Sequence, residues 1–227
     1  MNSYFQESVD PFQKGKNDFL IRAEHFQRYV FAKDILSRSE NLIIYDVASG
    51  SGYGTKILSR VSIVYGFEKK EIDLDKENLV DFIKSRKIPK PSVIVCFETL
   101  EHLEDPKNLL ESFFKLLPEN GILILSVPNA KFEPKKKGKS RNIYHKHLFY
   151  KEDILKIVKS NGFKVEQILG QPFSNILLHK VKWLVKLFDS LSQISQGFFI
   201  FLSLLIATPT KILTDESYSI IIVARKS

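Results

Sequence analysis

The sequence predicts an α/β fold built on a mainly parallel sheet. Three observations carry that reading. Strand-like and helix-like patterns alternate through the first two thirds of the chain, as repeated strand-helix-strand units require. Short strands such as "SVIVCFE" are apolar on both faces, the pattern of strands covered by helices on both sides. The stretch "IIYDVASGSGYGT" places Gly50, Gly52 and Gly54 between a run of β-formers and the next helix, a turn that asks for bare backbone.

The elements follow in order. From Asn17 to Arg38 the apolar residues Phe19, Ala23, Phe26 and Val30 recur in steps of four, three and four, the stripe of an amphipathic helix. "NLIIYDV" reads as a buried strand, and "YGTKILSR" opens a helix directly after the glycine turn. "VSIVYGF" is a second strand ending at Glu68, and "SVIVCFE" a further one. In "EDPKNLLESFFKLL", Asp105 is placed to cap a helix, Pro106 to begin it, and Leu109, Leu110, Phe113, Phe114 and Leu117 to line one face. "GILILSVP" is another strand. "KEDILKIVKSNGF" is a helix stopped by Asn161 and Gly162. "KVEQIL" and "SYSIIIVAR" are the last two strands.

The region from Asn175 to Leu213 breaks the alternation. Its run "GFFIFLSLLIA" holds eleven residues without a charge, short of the roughly 18 to 20 apolar residues that span a bilayer. It reads as a helical insert packed on the domain, or as an interfacial or dimerising helix. A chain of 227 residues fits one domain. Within it, residues 1–40 form an N-terminal helical cap, 41–170 the core, 175–213 the insert and 217–225 the last strand.

Composition narrows the function classes. Hydrophobic residues at 44% and charged residues at 26% leave no need for disorder or low-complexity architecture. The single cysteine, Cys96, excludes an internal disulfide and a cysteine-rich zinc site. The polar start "MNSYFQESVDPFQKGKND" lacks a secretory pattern, so a cytoplasmic protein is expected. Contact with the inner membrane face through residues 183–207 is the added expectation, because Trp183, Lys180, Lys182 and Lys186 lie beside the apolar run. The net charge of +8 is mostly local: Lys131, Lys135, Lys136, Lys137, Lys139, Arg141 and Lys146 stand against one acid, Glu133.

A strand that ends in a glycine turn and opens into a helix offers backbone amides and a helix dipole to a ligand. The same turn also serves when a helix merely packs close to a sheet. A phosphate loop is excluded, because Gly54 is followed by Thr55 and Lys56 in the wrong order. Glu68, at the end of the second strand, is placed to accept hydrogen bonds from ribose hydroxyls.

In this order, "YDVASGSGYGT", "VYGFE", "VIVCFETLEHLEDPKNLLESFFKLLPENGILILSVPN" and "HKHLFYKEDILKIVKSNGFKVEQIL" resemble the class I S-adenosylmethionine-dependent methyltransferases. The similarity is greatest to the branch with ubiquinone-biosynthesis-type O-methyltransferases and small methyltransferases of bacterial surface-glycan pathways. The resemblance covers about Phe26 to Gln171 and the last strand. It implies a Rossmann-like sheet in the order 3-2-1-4-5-7-6 with the last strand antiparallel, and S-adenosyl-L-methionine as cofactor. It implies that Asp46, Ala48, Gly50 and Gly52 hold the cofactor's amino-acid part, that Glu68 holds its ribose, and that Phe97 and Glu98 lie beside it. Arg28 and Tyr29 would cover the amino-acid end, unless they belong to an ordinary helix face. Two departures stand out. Ala48 replaces a usual glycine, and the segment from Lys69 to Ser92 is short, so the third strand shrinks to something near "EIDL". The adenine-contacting acid is then Asp73, Asp75 or neither.

Methyl transfer from a sulfonium is an in-line displacement, which positioning alone accelerates strongly. A hydroxyl acceptor also gains from a base, and histidine suits that role. His102, in "ETLEHLEDP", is the first candidate, followed by His145 and His147 in "YHKHLF"; each also admits a purely structural role. No metal is expected, since the His-x-His pair lacks a nearby acidic partner in sequence. The basic stretch reads as an electropositive lid drawing in an anionic or lipid-linked acceptor, or as a solvated loop.

A small-molecule or glycan-precursor O-methyltransferase is therefore the leading expectation. A nucleic-acid methyltransferase or RNA-binding module is the alternative drawn from the charge, although "CFET" stands where base-modifying relatives carry Asp/Asn-Pro-Pro-aromatic. A non-catalytic, membrane-associated member of the fold is the third.

Overall fold

A computed structural model describes residues 9–13, 19–133, 135–136, 139–140, 142–171, 181–211 and 217–227. Lys137, Arg141 and Lys180, and residues 175–180 and 212–213 of the expected insert, lie outside the described residues.

The chain opens with α1 (Phe19–Leu36), then β1 (Ile43–Val47), α2 (Tyr53–Leu58), β2 (Ile63–Phe67), α3 (Leu79–Ser85) and β3 (Val93–Phe97). A 3-10 turn (Leu100–His102) leads to α4 (Pro106–Leu116) and β4 (Ile122–Pro128). A small hairpin, β5 (Lys135–Lys136) and β6 (Lys139–Ser140), precedes α5 (Lys151–Ser160) and β7 (Phe163–Gln171). Two helices, α6 (Lys182–Ile194) and α7 (Gln196–Ala207), and then β8 (Ser219–Lys226) complete it. The expected caps are formed. Asp105 accepts from the Lys107 and Asn108 amides, and Gly162 takes φ 87° after α5.

Six strands form one sheet in the order β2-β1-β3-β4-β8-β7. β1 runs parallel to β2 and β3, and β3 to β4; β8 is antiparallel to both β4 and β7. Side chains alternate between two faces with the period of a pleated strand. Tyr45, Val47, Ile94, Cys96, Leu123 and Leu125 join α3, α4 and α5 in one buried cluster. Ile44, Val93, Val95, Ile124, Ile221 and Val223 join α1, α2, α6 and α7 in the other.

The expected third strand is not formed. The chain beyond Glu68 spends its backbone hydrogen bonds on local turns: the Glu71 and Ile72 amides donate to the Glu68 carbonyl, and the Lys76 and Glu77 amides to that of Asp73. Of the "EIDL" stretch, Ile72 is fully inserted in the core. β2 is left as an edge strand, and Ile63 at its start is 63% exposed.

The helices before the last strand pack on the domain. Phe199 of α7 meets the rings of Phe19 and Phe26 edge-on at 5.8 and 5.5 Å, and Gln27 of α1 donates to Ser203 Oγ at 2.8 Å. Such ring pairs add about 0.5–1.5 kcal/mol each beyond area burial. Among the described residues no helix is long and apolar enough to cross a membrane.

Candidate active site

The carboxyl ends of β1, β2, β3 and β4 lie on one edge of the sheet, because these strands are parallel. Ligands of open α/β sheets bind at that edge. At it, β1 delivers the turn Ala48–Gly52, β2 delivers Glu68, and β3 delivers Glu98 and the turn with His102.

The glycine turn is left-handed at three positions, with φ 60° at Ala48, 59° at Gly50 and 80° at Gly52. Ala48 therefore holds a conformation that favours glycine, at a cost of about 1–2 kcal/mol. A Cβ added at Gly52 would meet nothing within 4 Å, so this face of the turn is an open cradle. Gly54 differs: its Cβ would stand 2.1 Å from the Tyr29 ring. Gly54 is thus required by the packing of α2 against α1. Glu68 faces the turn, its Oε2 accepting from the Gly50 amide at 2.5 Å.

Asp46 lies beneath the cradle and is fully buried. Its carboxylate accepts from the Tyr29 hydroxyl at 2.9 Å and the Thr55 hydroxyl at 2.6 Å. Burial pushes the carboxyl up to about 6, a rise that the two hydroxyls partly offset. Asp46 therefore ties α1 and α2 under the turn. Arg28 is equally buried; its guanidinium pairs with Glu98 Oε1 at 2.9 Å and donates to Gln171 Oε1 at 2.6 Å and Ser219 Oγ at 2.8 Å. Neither Arg28 nor Tyr29 lies on an open helix face. Phe97 stacks edge-on against Tyr29 at 5.0 Å, and Glu98 sits in the left-handed region at φ 47°. Strained backbone of this kind concentrates at functional sites.

The histidines divide. His102 and His145 meet ring to ring, with centroids 4.8 Å apart. His102 Nδ1 donates to the Tyr144 carbonyl at 3.1 Å, which leaves the lone pair of the neutral ring on Nε2. That atom is 3.7 Å from Glu101 Oε1. His145 Nδ1 is held by Glu133 Oε1 at 2.5 Å. His147 Nε2 instead donates to the Glu104 carbonyl, at 3.3 Å, and the ring stacks on Phe149. The segment is held in place because the Lys146 and His147 amides both donate to the Glu101 carbonyl.

Glu101 is 1% exposed, and neither carboxylate oxygen has a hydrogen-bond partner among the described residues. Burial, and next the neighbouring Glu98, push its carboxyl well above the usual range. Glu101, His102 and His145 present ligand atoms within 4.8 Å of one another. The His145-x-His147 pair has no adjacent acid in sequence, but the fold brings Glu133 and Glu101 to His145. Both were legible: Glu101 directly precedes His102 in the quoted motif, and Glu133 is the lone acid of the basic run.

Of the two acids offered for the adenine end, Asp75 is engaged elsewhere. It accepts from the Glu104 amide at 2.8 Å and pairs with Lys146 at 2.9 Å. Burial would raise its carboxyl, but the Glu104 amide and Lys146 hold it below its ordinary value. Asp73 caps its own turn, accepting from the Asp75 amide at 3.2 Å and pairing with Lys76 at 3.3 Å.

Sheet order, glycine cradle, strand-end acid and the cluster beyond β3 together define a class I S-adenosylmethionine-dependent methyltransferase fold. A family model described as a methyltransferase domain matches residues 14–168, and the chain belongs to that family. The cofactor of this family and fold is S-adenosyl-L-methionine, and the open cradle at Gly52 facing Glu68 fits it. A protein of Mycolicibacterium smegmatis named "Probable S-adenosylmethionine-dependent methyltransferase" is 24% identical over 144 residues, 56% of this chain and 54% of that protein. A ubiquinone biosynthesis O-methyltransferase of Psychrobacter arcticus is 31% identical over 108 residues, 38% of this chain and 40% of that protein. The chain thus spans about half the length, or less, of these curated relatives. The crystal structure of an S-adenosylmethionine-dependent methyltransferase from Clostridium acetobutylicum shares the fold, with a TM-score of 0.54 and 12% identity over 92% of this chain and 95% of that one.

Proposed function

We propose that this protein transfers a methyl group from S-adenosylmethionine to a hydroxyl of a small-molecule or glycan-precursor acceptor. One observation carries the reading. The open glycine cradle follows β1, Glu101 and His102 follow the adjacent parallel strand β3, and the loop after β4 and its hairpin brings His145 to them at the same edge of the sheet. The O-methyltransferase name of the Psychrobacter relative supports an oxygen acceptor.

The bound cofactor supplies an electrophilic methyl on a sulfonium that leaves as a neutral thioether. Asp46, Ala48, Gly50 and Gly52 form the cradle and its floor, with Glu68 facing the ribose hydroxyls. Phe97 and Glu98 line the side towards the acceptor, and Asp73 remains the acid offered to the adenine end. His102, with His145 against it, takes the acceptor's single proton on Nε2, since the Tyr144 carbonyl and Glu133 occupy the two Nδ1 sides. A positioned base of this kind is worth about 10² to 10⁴ in rate. His147 lies outside this pair.

A second reading rests on the orphaned Glu101 carboxylate. An unpaired buried carboxyl is costly, and with His102 and His145 it forms a nitrogen and oxygen donor set suited to a divalent cation. Such a cation would polarise the acceptor oxygen.

Calorimetric titration with S-adenosylmethionine and S-adenosylhomocysteine tests the first step, and S-adenosylhomocysteine release with hydroxylated acceptors tests the second. Binding of both nucleosides and acceptor-dependent release are expected. Absence of nucleoside binding overturns the proposal.

A further inference from the structure

We infer that the α6–α7 hairpin docks the protein on an anionic lipid surface. This inference stands apart from the methyl-transfer reading and survives its failure. The inward face of α7 is accounted for by Phe199, Leu202, Ser203 and Ala207, all buried against α1. Its opposite face carries Phe198, Phe201, Leu204 and Leu205, spaced three, three and one apart and 47%, 58%, 54% and 64% exposed. Helix α6 repeats the arrangement with Trp183, Leu187 and Ile194. Isolated exposed apolar residues need no explanation, but two successive helices with outward apolar stripes do.

Length and charge choose the occupant. Twelve residues of α7 rise only about 18 Å, far less than the roughly 30 Å of a bilayer's hydrocarbon core. The hairpin can lie in the interface but cannot span it. From Val181 to Lys211 the chain carries Lys182, Lys186 and Lys211 against one acid, Asp189. That acid is already neutralised by Arg22 at 2.8 Å. The segment's excess of positive charge, with exposed Lys186 directly before Leu187 of the stripe, fits a lipid surface bearing phosphate anions. Trp183, the only tryptophan, sits 68% exposed beside Lys182, as interfacial aromatics do.

The docking face is also wired to the sheet edge. Gln171 Nε2 donates to the Ala207 carbonyl at the end of α7 at 2.6 Å. Gln171 Oε1 accepts from Arg28, which pairs with Glu98. A lipid-anchored α7 would therefore hold the candidate active site in a fixed relation to the membrane, suited to an acceptor drawn from it.

Co-sedimentation of the full chain with phosphatidylcholine vesicles, with and without phosphatidylglycerol, tests the inference. Binding is expected to rise on the order of tenfold or more with the anionic lipid and to fall in high salt. The Phe201→Ser, Leu205→Ser double variant should remain in the supernatant with its melting temperature kept. Lys186→Glu, which leaves the stripe intact, should weaken only the anionic component and decides the matter if the double variant fails to fold. Wild-type protein that stays in the supernatant with both vesicles overturns the inference. So does a light-scattering dimer that the double variant converts to monomer, which would assign the face to a second copy.

Discussion

Arg28 and Glu98 meet as a buried ion pair at 2.9 Å, joining the first helix to the end of β3. Gln171, Ser126, Ser219 and Glu24 hold the same guanidinium, so Glu98 is fixed at the end of β3. Removing one partner of a buried pair strands the other charge. Arg28→Met is expected to cost about 3–5 kcal/mol of unfolding free energy, measured by urea titration. An unchanged midpoint would show that the pair contributes nothing.

Gly52 and Gly54 should separate binding from folding. Gly52→Ala adds a methyl into open space at φ 80°, so the fold should lose only about 1–2 kcal/mol while S-adenosylmethionine affinity drops at least about tenfold. Gly54→Ala drives a methyl to 2.1 Å from the Tyr29 ring and should cost about 1–3 kcal/mol through overpacking. Calorimetric titration and urea unfolding read the two effects. Equal behaviour of the variants would contradict the distinction.

Asp46 predicts a pH slope. Its folded value of about 6 lies above the ordinary 3.8, so between these values the folded state holds a proton that the unfolded state has lost. Stability contributed by this group falls as pH rises from about 4 to about 6, by about 3 kcal/mol in all, and is flat above. Asp46→Asn should flatten that part of the wild-type slope in unfolding free energy measured across pH. An identical slope in the variant removes the assignment.

Glu101 should matter more to turnover than to folding, because among the described residues no hydrogen bond is made to its carboxylate. Glu101→Gln is expected to keep the unfolding midpoint and to lower methyl transfer by about 10² or more. Dialysis against a chelator is expected to lower wild-type turnover, with recovery on adding a divalent metal. Turnover indifferent to chelation would assign the cluster to proton transfer alone.

Much of this was legible in the sequence because it depends on short-range pattern. The β-rich runs, the Asp105 cap, the Gly162 stop and the three glycines announce themselves within a few residues. The third strand was misjudged for the complementary reason. "EIDL" has strand-like spacing, but Asp73 and Glu77 close local turns that consume the backbone groups a strand would need. That Glu101 and Glu133, 32 residues apart in the chain, both gather around His145 could not be read locally, because the loop that Lys146 and His147 fasten to the Glu101 carbonyl brings them together.

By itself, then, the sequence determined the α/β class, the placement of the glycine turn after a buried strand, and the acid at Glu68, since each follows from periodicity and backbone freedom. Tertiary structure alone decided that Gly54 serves Tyr29 while Gly52 faces open space, that Arg28 is sealed beneath Glu98, and that two histidines gather around an unpartnered carboxylate. These are contacts between side chains from different elements, and only packing of the sheet between its helices brings them within reach.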